Sequence, residues 1–206
     1  MSTSPPSDPT LTYYEGHADE FARDTLGADV SALYAPFLAL VPAGGRILDA
    51  GCGAGRDAAA FGRMGYRVSA FDASPALARI AARVSGVPVA VLRFQDLDAA
   101  PEFDGVWACA SLLHLRRAEI PGAVSRLAAA LVPGGVLYAS FKRGGGAGER
   151  GGRHFTDYTA DGLRAELDAC DDLQVMQVWE TADVRPGRAD EGWVNALAQK
   201  RAREDG

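Results

Sequence analysis

The residues best suited to chemistry lie in one short segment, residues 46–57, which reads RILDAGCGAGRD. An apolar run ends in Asp49, and a loop with Gly51, Gly53 and Gly55 follows before an alanine-rich stretch typical of a helix. Glycine adopts positive φ readily and lets another group approach the backbone closely. The first amides of a helix are free to bind a ligand. The segment therefore predicts the first turn of a nucleotide-binding α/β unit.

A second acid narrows the class of ligand. Asp72 ends the next apolar run, 21 positions after Gly51, a spacing that suits hydrogen bonds to ribose hydroxyls. The dinucleotide fingerprint G-x-G-x-x-G needs a glycine where this chain has Arg56, and Asp49 would repel a pyrophosphate. S-adenosylmethionine carries an ammonium and a sulfonium but no phosphate. It is therefore the cofactor that this pattern favours.

The elements that must hold these acids follow from hydrophobic periodicity. Strand-length apolar runs bounded by Gly, Pro or Asp lie at 46–50, 67–71, 89–93, 104–109, 136–141, 173–179 and 193–198. Helical patterns separate most of them, and Ser74 with Pro75 is suited to begin one of these helices. Strand alternating with helix predicts a doubly wound α/β fold with a mostly parallel, seven-stranded sheet of Rossmann-like type.

The length of 206 residues fits one domain. We expect a disordered tail rich in Ser and Pro at 1–10, a single domain at 11–200 and a second tail at 201–206. Within the domain, residues 10–41 form a helical lead-in whose apolar face packs over the sheet.

Several motifs in order resemble the class I S-adenosylmethionine-dependent methyltransferases, over roughly residues 34–180. The motifs are ILDAGCGAG (47–55), AFDASP (70–75), FQDLD (94–98), FDGVWACASLLHL (103–115) and LVPGGVLYASF (131–141). The chain is most similar to the small, single-domain bacterial members that act on small molecules, such as tellurite-resistance-type methyltransferases. The resemblance implies that the last two strands form an antiparallel pair at the sheet edge.

The predicted cofactor site lies at the carboxyl ends of the strands, where doubly wound sheets bind their ligands. The first two strand ends supply Asp49, Gly51, Cys52, Gly53, Asp72 and Ala73. The resemblance adds four further contacts. It implies that Asp96 accepts from the adenine amine, that the Leu97 amide faces the ring, that the Ala110 carbonyl meets the amino group, and that Tyr14 lies near the donor.

Bulk properties exclude several classes of protein. The net charge of −6 does not favour nucleic acid or anionic membrane, and no apolar run approaches the ~18 residues that span a bilayer. No secretory signal is apparent at the start. The three cysteines (Cys52, Cys109 and Cys170) are far apart, which suits a reducing cytoplasm and neither a disulfide framework nor a zinc site. We therefore expect a cytoplasmic protein without a metal.

The acceptor side is less defined, and no catalytic residue is assigned. A hydroxyl or ammonium acceptor would need a general base, for which His114 and His154 are candidates, although either fits a packing role. The Gly/Arg-rich segment 142–153 is either a flexible connector, a lid that attracts an anionic acceptor, or an RNA contact. The sequence defines neither the methyl acceptor nor the oligomeric state.

Three alternative functions remain open at this stage. An NAD(P)-dependent oxidoreductase is disfavoured by Asp49 and by the missing third fingerprint glycine. A non-catalytic cofactor-binding protein would keep the pocket without turnover. An RNA methyltransferase would use the basic segment 142–153, against the acidic total charge.

Overall fold

The structure is a computed structural model that describes residues 8–185, 187–188 and 191–202. The helices are α1 (Pro9–Thr25), α2 (Ser31–Leu38), α3 (Arg56–Arg63), α4 (Pro75–Ser85), α5 (Ile120–Ala130) and α6 (Ala160–Asp168). The strands are β1 (Arg46–Ala50), β2 (Arg67–Asp72), β3 (Val89–Val91), β4 (Phe103–Ala108), β5 (Leu131–Lys142), β6 (Ala147–Arg150), β7 (Arg153–Thr156), β8 (Leu173–Ala182) and β9 (Gly192–Lys200). Among the described residues, no helix is long and apolar enough to cross a membrane.

Seven of the strands form one sheet in the order β3-β2-β1-β4-β5-β9-β8. The pairs from β3 to β5 are parallel, and β9 joins β5 and β8 antiparallel to both. The predicted doubly wound fold is confirmed, including the antiparallel pair at the edge. Strand order reverses between β1 and β4, and the loops that leave these two strands therefore diverge and open a crevice between them.

The predicted start of α4 is confirmed in detail. The Ser74 side chain accepts a hydrogen bond from the amide of Leu77 at 3.2 Å, and Pro75 is the first helical residue. β5 is longer than the predicted run 136–141, because Leu131 already pairs with Phe103 before a register shift.

The lead-in helix α1 lies along the carboxyl edge of the sheet. It begins at Pro9, inside the range 1–10 predicted as a tail; residues 1–7 and 203–206 of the two predicted tails lie outside the described residues. Glu15 accepts hydrogen bonds from the Ser74 hydroxyl and from the amide of Ala76 at 3.0 Å, so a side chain of α1 helps to cap α4. This contact fixes α1 over the end of β2.

The other end of the lead-in packs under the sheet. Phe37 of α2 and Val41 just beyond it are buried against Gly105 of β4. A Cβ placed on Gly105 would lie 2.6 Å from Phe37 Cζ and 2.9 Å from Val41 Cγ2. The close packing of α2 against β4 therefore depends on the missing side chain of this glycine.

Gly105→Ala should lower the free energy of unfolding by about 1–3 kcal/mol, because the added methyl overpacks a buried contact. Gly122→Ala is the matched control, since a Cβ at that position in α5 meets nothing within 4 Å. The control should leave the stability unchanged or raise it by roughly 0.4–1 kcal/mol. Urea unfolding of both variants measures the two values, and equal stabilities would contradict the packing argument.

Candidate active site

A cavity of about 700 Å³ opens at the carboxyl edge of the sheet, in the crevice between β1 and β4. Its wall combines the glycine loop after β1, the turn after β4, α1, the β6–β7 hairpin and the segment that joins β8 to β9. The volume is typical of small-molecule sites. The cavity is therefore the candidate active site.

The glycine loop is shaped mainly by contacts within the protein. Gly51, Gly53 and Gly55 have φ of 74°, 55° and 84°, which disfavours side chains. A Cβ on Gly51 would lie 2.5 Å from the Cβ of Ser111, and one on Gly55 would lie 2.8 Å from the Cα of Ala81. Packing inside the protein therefore requires glycine at these two positions. This is a second reason for glycine, beside the close approach of a ligand that the sequence suggests.

The predicted cofactor residues divide into two groups with respect to the cavity. Those on its wall are Tyr14, Asp49, Gly51, Cys52, Gly53 and Ala110. Asp72, Ala73, Asp96 and Leu97 do not line it. Asp96 is exposed in a short 3-10 turn, whereas Leu97 is buried.

Asp72 is held in place by backbone amides. Its two carboxylate oxygens accept hydrogen bonds from the amides of Gly53, at 2.8 Å, and Ser74, at 2.9 Å. Burial raises the pKa of Asp72 to about 6, although these amide donors oppose the shift. The carboxylate therefore links the end of β2 directly to the glycine loop.

Asp49 is almost fully buried and accepts a hydrogen bond from the amide of Ala58 at 3.0 Å. Burial, with the nearby charge of Asp57, raises its pKa well above the usual value. A positively charged ligand beside Asp49 would lower this pKa and favour the ionised carboxylate, so the site is suited to bind a cation.

Asp57, the neighbour that raises the pKa of Asp49, is compensated by four hydrogen bonds. Arg56 donates from Nε at 2.6 Å and from Nη2 at 2.9 Å, Tyr34 donates its hydroxyl at 2.6 Å and Trp107 its indole N–H at 2.8 Å. Burial opposes its ionisation, but Arg56 and the other donors outweigh that effect and lower its pKa. Asp57 and Arg56 lie on the cavity wall, and the sequence analysis assigned neither to the site.

The turn after β4 contains a backbone conformation that side chains disfavour. Ala110 has a φ of 54°, the only positive value recorded for a non-glycine residue in the described chain. The Ala110 amide donates to the Ser140 hydroxyl at 2.9 Å. The residue after Ala110 is Ser111, whose hydroxyl donates to the carbonyl of Ala50 at 2.7 Å. Non-glycine residues in this region carry strain that the surroundings must hold, and such strain is common at functional sites.

Tyr14 and His114 form a pair on the opposite wall. His114 Nδ1 lies 2.8 Å from the carbonyl oxygen of His154, so Nδ1 must carry the proton and donate it. Nε2 then accepts from the Tyr14 hydroxyl at 2.9 Å. Burial lowers the pKa of His114 to about 4. Both ring nitrogens are therefore occupied, which disfavours His114 as a general base.

His154, the other candidate base, lies beside the wall rather than on it. Its Nε2 is 3.1 Å from the Thr156 hydroxyl, which in turn donates to the carbonyl of Leu115. Its amide donates to the Thr10 hydroxyl of α1 at 2.9 Å. The contacts of His154 therefore join the hairpin to α1 and to the turn after β4.

The segment 142–153, predicted as a connector or lid, contains an ordered element. Residues 147–150 of β6 pair antiparallel with β7. Three of its four cations form ion pairs, Lys142 with Asp183 at 2.9 Å and with Glu191, Arg143 with Glu180 at 3.0 Å, and Arg150 with Asp157 at 2.5 Å. Most of its positive charge is therefore neutralised locally.

The wall that faces this hairpin includes Arg185 and Arg188, from a basic stretch that the sequence suggests as a flank of the acceptor site, and three residues that the sequence does not point to. These are Asp183 and Glu191 of the connection between β8 and β9, and Trp193 of β9. Asp183 accepts from Lys142, Arg185 and the indole of Trp193. Burial opposes its ionisation, but Arg185 and Lys142 outweigh that effect and lower its pKa. The Arg-Pro-Gly-Arg stretch at 185–188 is the one local signal for this connection, because the ion pairs themselves span about 40 residues of sequence.

The cysteines on the wall are poorly suited to act as nucleophiles. Burial raises the pKa of the Cys52 thiol and raises that of Cys109 to about 12, so both remain protonated near neutral pH. In the described part of the chain, no three His, Cys, Asp or Glu side chains converge in a way that could hold a metal ion.

The chain is similar to a family model over part of its length, and to solved structures over most of it. A family model described as a methyltransferase domain matches residues 47–135. A ubiquinone biosynthesis O-methyltransferase of Xanthomonas axonopodis pv. citri is 39 % identical over 109 residues, which cover 49 % of this chain and 44 % of that protein. The match therefore spans less than half of the length of this curated relative.

Two solved structures resemble nearly the whole chain. The Burkholderia thailandensis 1,6-didemethyltoxoflavin-N1-methyltransferase, solved with S-adenosylhomocysteine, has a TM-score of 0.65 and 23 % identity, over 98 % of this chain and 94 % of that one. A TehB-like methyltransferase of Corynebacterium glutamicum has a TM-score of 0.69 and 20 % identity, over 90 % and 99 %. At these identities the likeness establishes the fold.

His114→Asn should change how stability depends on pH. This histidine has a pKa near 6.5 in the unfolded chain, whereas in the folded protein burial lowers its pKa to about 4. Wild type should therefore lose stability relative to the variant as the pH falls from about 6.5 to 4, by up to roughly 3 kcal/mol. Denaturant unfolding across this range measures the difference. His17→Asn, at an exposed histidine of α1, should keep the wild-type profile; a His114→Asn profile parallel to wild type would refute the assignment.

Proposed function

We propose that the chain is a class I S-adenosylmethionine-dependent methyltransferase, in keeping with its match to a methyltransferase domain over residues 47–135, and that it transfers a methyl group from S-adenosylmethionine to a small molecule. One observation carries the proposal. The cavity opens where the strand order reverses between β1 and β4, with the glycine loop and Asp49 on its wall. This is the position at which doubly wound sheets bind nucleotides.

The acids at this edge fit a nucleoside that carries an ammonium group. Asp49 is buried and has a raised pKa, so a cation beside it would be favoured. Asp72 is already oriented by two amides and retains acceptor capacity for ribose hydroxyls. Asp72 would suit the ribose of either nucleotide, but Asp49 would repel the pyrophosphate of NAD, which supports a methyl donor over a hydride carrier.

When bound, S-adenosylmethionine supplies a methyl group on a positively charged sulfonium, which a nucleophile displaces in line. In our proposal the chain contributes mainly binding and exclusion of water. Tyr14 and Phe21 of α1 pack edge to face, with ring centroids 5.1 Å apart, above Gly53. Such a cover keeps water from the reacting atoms. The remaining predicted contacts, at Cys52, Ala73, Asp96, Leu97 and Ala110, belong to the same proposal.

Catalysis by positioning is supported by the state of the histidines. His114 has both nitrogens occupied, and His154 lies beside the wall. An acceptor that is already anionic needs no base, and basic side chains outnumber acidic ones on the cavity wall. We therefore propose a small acceptor that carries negative charge, and a cytoplasmic location in keeping with the free cysteines.

Donor binding tests the first half of this proposal. S-adenosylhomocysteine at a hundredfold excess over its dissociation constant should stabilise the protein by about 2.7 kcal/mol, and NADH should not. Asp72→Asn should weaken binding at least tenfold, since charge-assisted hydrogen bonds contribute about 1.5–3 kcal/mol each. Asp168→Asn, at the exposed end of α6, is the matched control and should bind normally. Calorimetry measures each affinity, and stabilisation by NADH alone would favour the oxidoreductase.

Methyl transfer itself needs a separate experiment. The protein should move an isotopically labelled methyl group from S-adenosylmethionine into a small-molecule fraction of a cell extract, and Asp72→Asn should reduce the rate at subsaturating donor. Label recovered in the RNA fraction would support the alternative RNA methyltransferase. Tight donor binding without any labelled product would support a non-catalytic role.

A further inference from the structure

The arginine and lysine side chains of the cavity wall are ion-paired in all but one case among the described residues. Arg56 pairs with Asp57, and Arg150 pairs with Asp157 just after β7. The other cations of the acceptor side pair with acids of β8 and of the connection between β8 and β9. The exception among the described residues is Arg153, the first residue of β7, for which no ion pair is recorded. Its guanidinium is permanently charged, so this one charge faces the cavity without compensation by an acid of the described chain.

Arg153 is held by aromatic rings instead. Its guanidinium carbon lies 4.6 Å from the ring centroid of Tyr13, 5.3 Å from that of Phe155 and 5.8 Å from that of Tyr14. Nη1 makes one long hydrogen bond, 3.5 Å, to the Tyr14 hydroxyl. Rings orient a planar guanidinium without neutralising it, so the group is fixed in direction and remains available to an anion.

The hydrogen-bonding capacity of Arg153 is also unfilled. Its Nε is buried and has no hydrogen-bond partner among the described residues. A buried donor without a partner destabilises a protein, so this N–H calls for an acceptor. An acceptor from a ligand would satisfy this N–H and the guanidinium charge together.

The wall next to Arg153 selects for more than charge. Leu113, Phe155 and Trp193 line the same cavity and give it apolar surface. A guanidinium presents its N–H groups as a planar fork that matches the two oxygens of a carboxylate. The best match is therefore an organic carboxylate with an apolar body.

We propose that the methyl acceptor is an organic carboxylate anchored by Arg153. This inference rests on the proposed function for the role of the ligand as acceptor, but the anion site itself does not depend on it. Arg153 then acts as the residue that determines acceptor specificity, and Tyr14 orients it. The other cations of the segment 142–153 stabilise the wall through their ion pairs.

Binding of simple carboxylates tests the site directly. Benzoate and 2-naphthoate should bind the protein, with and without saturating S-adenosylhomocysteine, and should raise its melting temperature, while benzamide and 2-naphthamide should not. Arg153→Gln should weaken carboxylate binding at least tenfold and leave the affinity for S-adenosylhomocysteine unchanged. Arg143→Gln removes the same charge from the same wall, but at an arginine that is ion-paired with Glu180. Its affinity for carboxylates should stay within twofold of wild type.

A second variant, Arg153→Lys, tests the proposal even if Arg153→Gln fails to fold. Arg153→Lys keeps the charge but loses the planar fork, so we expect carboxylates to bind several-fold more weakly than in wild type. Equal binding of benzoate and benzamide, equal losses in Arg153→Gln and Arg143→Gln, or tighter binding of phenylphosphonate than of benzoate would overturn the proposal. Failure of S-adenosylhomocysteine to bind, with carboxylate binding intact, would overturn the proposed function alone.

Discussion

The ionised carboxylate of Asp57 must be compensated inside the protein, and this requirement organises the molecule around its site. A buried charge that loses its partners destabilises a protein by several kcal/mol. The donors come from Tyr34 on α2, Trp107 on β4 and Arg56 at the start of α3. Both aromatic donors also pack against Phe61 of α3. The wall behind the glycine loop is therefore held by one electrostatic centre and its aromatic surroundings. The charge of Asp57 also adds to the effect of burial in raising the pKa of Asp49.

The sequence predicted the fold well because its signals are local. Apolar runs ending in an acid mark strand ends, and Ser74 with Pro75 marks the start of a helix. Each of these patterns depends on a few neighbouring residues, so each can be read without knowing what packs against it. The glycine loop was similarly readable, although its tight packing on Ser111 and Ala81 needs the folded structure to be seen.

The acceptor side could not be predicted in the same way. Its ion pairs join Lys142 to Asp183 and Arg143 to Glu180, across roughly 40 residues of sequence, and no local pattern encodes such partners. Composition alone suggests that four cations act together in the segment 142–153. The structure separates Arg153 from the other three, because pairing and burial, rather than charge count, decide which cation is available.

Tyr14 touches both ends of the cavity. Its ring packs on Phe21 above the glycine loop, while its hydroxyl joins His114 and Arg153 on the other side. Two sites that share one side chain are thermodynamically linked. Any ligand that shifts Tyr14 at one end alters affinity at the other, and by reciprocity the factor is the same in both directions. One tyrosine on the lead-in helix would thus make the two binding events cooperative, positively or negatively, without any movement of the sheet.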